Sequence, residues 1–223
     1  MFSSYLILKW LHIIAMAYWL GGEWGVFNAS RHVTNHTLTL DERKRHMETA
    51  YRIDILPRTG IILLLPLGLH MGNRMGVQPL GGAWITGMWV FVAAWVGLTW
   101  TAFAKRGTDT GVMLTKLDEA IRYIVIPLLL GFSLWSLLGD GPLKANWYSA
   151  KVFIYGLMLV IGLYLRYIMR DWVGAFRQLA ADGPNETISA GMERSLAKGR
   201  AIAYVYWIGI ASVAFLGTVK PNF

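Results

Sequence analysis

The chain reads as an all-α membrane protein, a six-transmembrane-helix bundle with both termini on the periplasmic (outer) side. Three observations point there. Of the 223 residues, 55% are hydrophobic and only 15% are charged, and the mean hydropathy is +0.43. Soluble domains carry roughly a quarter charged residues. Six runs approach the roughly 20 apolar residues needed to cross a hydrocarbon core. The basic residues are also sorted, since sixteen of the 21 Lys and Arg fall in or beside three long connections. Only Lys9, Arg74, Lys144, Lys151 and Lys220 fall at the other ends of the runs. An excess of Lys and Arg marks cytoplasmic loops, which sets the orientation.

The spans are expected at about 4–28, 55–76, 83–104, 122–140, 149–169 and 201–219, a single transmembrane domain over 1–223. Cytoplasmic loops are expected at about 30–54, 105–121 and 170–200. The first run starts almost at Met1 without a basic n-region or a small-x-small cleavage site, so a retained helix is expected. Its Gly21 and Gly25 form a GxxxG pattern, which permits close helix approach. The second run opens at Pro57, a residue tolerated in a first turn. Its Pro66, four residues before His70, would free a carbonyl and bend the helix. The third run is continuous and Trp-rich. The fourth echoes the second: "YRIDILPRTG" and "IRYIVIPLLLG" each carry Arg five residues before Pro, a hint of stacked helical hairpins. The fifth follows Trp147, and the sixth ends before Lys220. Between spans, 38–52 and 186–200 read as short amphipathic helices on the membrane surface. Eleven Trp and ten Tyr suit interfacial aromatic belts.

Composition also excludes. With no cysteine, disulfides, thiolate metal sites, thioether-linked haem and iron–sulfur clusters are out. The net charge of +8 is explained by membrane orientation, and no nucleic-acid partner is expected. No P-loop, dinucleotide fingerprint, nucleophile elbow or HExxH motif occurs.

Ionisable groups inside a span are costly and are functional candidates by default. His12 and His70 lie in the first two, antiparallel runs, both roughly 10 Å below the outer surface at 1.5 Å rise per residue. Matched depth suggests the two axial ligands of one haem b. His32, His36 and His46 fall in the first long loop, as solvated residues. Lys9, His12, Met16, Trp19 and Glu23 recur at three- and four-residue spacing, so they share a face that must turn toward protein. Lys9, Arg74 and Lys151 stand at a height suited to haem propionates, and Glu23 is level with Arg58. Each has an ordinary alternative: a packing histidine at His12, an interfacial one at His70, and snorkelling lysines at positions 9 and 151.

"LILKWLHIIAMAYWLGG" resembles the opening of the HemJ/CopD-like integral membrane proteins, with their "LKxLHI…W" first helix. "AYRIDILPRTGIILLLPLGL", "WYSAKVFIYGLMLVIGLYLR" and the closing "VKPNF" extend the similarity to helices 1, 2, 5 and 6. In the HemJ-like group the first-helix His is linked to haem b and a Lys of the penultimate helix to activity. The resemblance implies those roles for His12 and Lys151. That group usually has four helices, so the third and fourth runs read as an insertion. It usually has an apolar or aromatic residue where His70 stands, which favours a second axial ligand here.

The expected function is a bis-His haem b electron-transfer subunit of the bacterial inner (cytoplasmic) membrane. It would contact membrane lipid and a redox partner or larger membrane complex, with quinone as a further candidate. One haem is expected. Two alternatives stay open. A copper-handling CopD-like transporter would use His70, Met71 and Met75, because thioether and imidazole suit Cu(I). A HemJ-like protoporphyrinogen oxidase would use His12 and Lys151, and only then would the chain be an enzyme, a haem-dependent oxidoreductase.

Overall fold

A computed structural model describes residues 4–223. Six helices account for nearly all of them: α1 (Ser4–Val33), α2 (Leu40–Arg74), α3 (Ala83–Ala104), α4 (Asp109–Leu137), α5 (Asn146–Asp182) and α6 (Glu186–Val219). No strand occurs among the described residues. All six helices are long and apolar enough to cross a membrane. Their apolar side chains face outward as well as inward: Trp84 is 70% and Ile208 67% exposed. A helix hydrophobic all round belongs in lipid, so the exterior is a lipid-contact surface and the chain a multi-pass membrane protein.

Consecutive helices are neighbours around the bundle, α6 returns to α1, and α2 touches α5 across it. The α1–α2 interface is the most extensive. Glycines explain its closeness. A Cβ on Gly60 would come within 2.6 Å of the Ala15 carbonyl oxygen, and one on Gly22 would collide with the Pro57 ring. A Cβ on Gly25 would meet Ile53 at 2.9 Å. Gly21 meets nothing within 4 Å, so the close-packed pair on α1 is Gly22 and Gly25, not Gly21 and Gly25.

The three expected cytoplasmic loops are mostly helix, which corrects the sequence reading. The stretch 38–52 is no separate surface helix, because α2 starts at Leu40 and runs unbroken to Arg74. Likewise 186–200 is the first part of α6. Each extended start has a cap. Thr39 forms a capping box with Glu42, and the side chains of Thr108 and Asn185 accept from Gly111 and Ile188 backbone N–H groups. Caps supply partners to helix-end donors that otherwise lack them. The extensions bury a second core of Val33, Met47, Ile168, Trp172, Phe176 and Met192, separate from the central core around Trp19, Ile62, Leu159 and Ile210. Arg43 lies within it, Nε donating to the Val33 carbonyl at 2.9 Å and its guanidinium 5.3 Å from the Phe176 ring centroid. Pro57 therefore sits inside a helix, where it serves α1 packing rather than helix initiation.

Gly60→Val is expected to lower stability in detergent by about 1–3 kcal/mol, the usual cost of overpacking, whereas Gly21→Val stays near neutral. Thermal unfolding checks both. Hydrogen bonds from Thr39 to Glu42 hold that carboxyl below the usual carboxylate range. Its contribution is therefore complete above the ordinary carboxylate pKa and is lost as pH falls through the lowered value. Thr39→Ala should remove that acid-side loss, read as helicity against pH.

Candidate functional site

The helical spacing turns the α1 stripe inward. Lys9, His12 and Met16 line a cavity of about 280 Å³ between α1, α2, α5 and α6, at the end of the bundle where α1 begins. Its walls are largely apolar, with Leu64, Leu65, Val152 and Val213 among them. The His12 ring lies beside Gly68, where a Cβ would stand 3.6 Å from His12 Cε1, an ordinary contact. The buried His12 Nδ1 has no hydrogen-bond partner. An orphaned polar atom in an interior calls for an explanation. Lys151 and Lys220 join Lys9 on the lining, and the Lys151 ammonium rests against Gly217. Two hydroxyls on this cavity are already engaged. Tyr148 donates to the Gly68 carbonyl at 3.2 Å and Tyr155 to that of Ile61 at 2.6 Å.

His70 is not part of this cavity. Its Nδ1 accepts from Trp89 Nε1 at 3.3 Å, so its ring is engaged with α3. Position explains the separation: on α2, Gly68 and Met71 line the cavity and His70, between them, falls on another face. The expected convergence of His12 and His70 on one iron is thus not assembled. Arg74, one turn beyond His70, is exposed and lies off the lining too, while Lys9 and Lys151 are on it. Met75 is not on the lining itself, but its sulfur lies beside two residues that are, near the Tyr5 hydroxyl and Lys220 Nζ. Among the described residues no group of three His, Asp or Glu is set to hold a metal ion. His32 and His46 stack at 4.5 Å between ring centroids, and His36 pairs with Glu193 at 2.6 Å.

A second cavity, about 100 Å³, lies further along the same helices and is lined by Glu23, Asp54, Arg58, Arg122, Arg166 and Arg200 among apolar groups. Arg58 pairs with Asp54 rather than with Glu23. Beside this cavity Asp118 is fully satisfied. Trp95 Nε1 and the Thr99 hydroxyl donate to one carboxylate oxygen at 2.7 and 3.0 Å, and Arg122 and Arg166 donate to the other. Three helices are tied at one carboxylate. Trp19 stands between the two cavities. It donates to the Tyr206 hydroxyl at 3.0 Å and packs edge-on against Tyr206 and Tyr155. Tyr155 lines the His12 cavity and Tyr206 the arginine-rich one.

The sequence reading missed Lys220 and the tyrosines of the first cavity, and the whole Asp118 cluster. "LDEAIR" carried a usable signal, since Asp118 and Arg122 are four residues apart on one helical face. Asp118→Asn would leave Arg122 and Arg166 buried without their counter-charge. A loss of about 3–5 kcal/mol is expected, measured as unfolding in detergent. No family model, no curated protein and no solved structure matches the chain.

Proposed function

We propose that the chain is a haem b protein of the HemJ/CopD-like superfamily, serving electron transfer in the bacterial inner membrane with both termini on the outer side. The observation that carries this reading is the unpartnered His12 Nδ1 at an apolar cavity furnished with three lysines. A haem asks a protein for a nitrogen donor, an apolar slot and cations for two carboxylates. His12, the walls of α1, α2, α5 and α6, and Lys9, Lys151 and Lys220 fit that demand. When bound, the haem supplies one-electron chemistry at iron, tuned by its axial ligand and surroundings. His12 would ligate it, the lysines would hold the propionates, and the buried helices would exclude water. His70 has no role in this version. Met16 and Met71 are the other soft donors on the cavity lining. The orientation follows from the sixteen basic residues gathered toward the opposite end. A redox partner protein or quinone would complete the electron path.

A second reading, porphyrinogen oxidation, draws on a specific fact: His12 and Lys151, the two residues the resemblance singles out, line the same cavity. Copper handling would rest on His12, Met16 and Met71 instead.

The discriminating measurement is a visible spectrum of the detergent-purified protein, oxidised and then reduced. A Soret band with b-type α and β bands is expected, abolished by His12→Ala and unchanged in His70→Ala. Lys151→Ala should keep the pigment, and loss of porphyrinogen oxidation in that variant would establish the second reading. Colourless protein with stoichiometric copper would replace haem with copper, and colourless protein without metal would overturn both.

A further inference from the structure

The arginine-rich cavity carries more positive charge than its neighbours neutralise. Four guanidinium groups, those of Arg58, Arg122, Arg166 and Arg200, line it. Three carboxyl groups face them: Glu23 and Asp54 on the lining, and Asp118 just behind it. One cation remains in surplus even with every carboxyl ionised. The surplus can be located. Arg122 is 4% exposed, spends Nε on Asp118, and keeps a buried Nη2 with no partner. Among the described residues no carboxylate lies within ion-pair distance of Arg200, whose guanidinium instead sits 5.2 Å from the Phe27 ring centroid. A guanidinium presents its N–H groups as a planar fork matched to carboxylate and phosphate oxygens. A buried N–H left empty is unfavourable by itself.

We propose that this cavity is a binding site for a phosphoryl oxyanion, held by Arg122 Nη2 and Arg200. Its volume of about 100 Å³ accommodates several waters, hence one phosphoryl group. Such a group comes from an anionic phospholipid headgroup or from free phosphate, and basic pockets between membrane helices suit headgroups in particular. Val26, Phe27 and Leu196 on the lining give an attached apolar portion a surface to follow. Glu23 is the one carboxyl on the lining without a cationic partner in ion-pair range. The site shares no lining residue with the His12 cavity, so it stands or falls apart from the haem reading.

The test uses the full chain, delipidated in detergent and separately in nanodiscs, with unfolding followed by tryptophan fluorescence. Inorganic phosphate is titrated against chloride at equal ionic strength, and phosphatidylglycerol discs are compared with phosphatidylcholine discs. A saturable rise of the unfolding temperature in phosphate assigns the site to free phosphate, and one confined to phosphatidylglycerol assigns it to a lipid headgroup. In either arm Arg200→Gln should weaken apparent affinity by about tenfold or more, the loss of one charge-assisted hydrogen bond. Should that variant fail to fold, Arg200→Lys keeps the charge, loses the fork and should show the same direction of change. Equal unfolding of the unaltered protein in all four conditions overturns the proposal, as does a ligand-induced shift in the Arg200 variants as large as that of the unaltered protein.

Discussion

A charged side chain buried among helices must find its partner within the protein, and the Asp118 carboxylate is where this chain meets that demand most completely. Donors from Trp95 and Thr99 on α3, Arg122 on α4 and Arg166 on α5 converge on its two oxygens. The pairings fix the rotation of three helices about their own axes, because a turned helix would leave a buried charge without its mate. Contacts between lipid-like side chains alone would fix rotation poorly. The central helices thereby acquire the alignment that brings Arg122 and Arg166 to one cavity and leaves Lys151, four turns back along α5, at the other.

The α1–α2 hairpin provides the second constraint, through size rather than charge. Gly22, Gly25 and Gly60 let the two backbones approach, with Pro57 filling the notch that Gly22 leaves. This close approach sets His12 beside Gly68. It also leaves His70 on a different face of α2, where Trp89 occupies its ring nitrogen.

The helix count was legible in the sequence because hydropathy over twenty residues is a strong, additive signal. The helix extensions were not. Segments such as 38–52 are charged and look like loops or surface helices, yet Arg43 is buried by packing against Phe176 and the Val33 carbonyl, contacts separated by many residues. The inward stripe Lys9–His12–Met16 was readable from period alone, since it concerns one helix. His70 lies off the lining that His12 shares because depth in a membrane is one coordinate and azimuth is another. Residue counting gives the first and says nothing of how two helices are rotated against each other. Lys151 was singled out by its height and by resemblance, whereas Lys220 joins the cavity only through the fold, where α6 brings it beside α5.

Trp19, Tyr155 and Tyr206 interlock between the two chambers, all three buried. A partition of edge-packed, buried rings leaves no lining residue common to the two chambers, yet it is of low dielectric, so it screens charge poorly. Occupancy by an anion on the arginine side would therefore be felt at His12 as a change of electric potential. The two halves of the bundle are coupled by field across the rings that separate them.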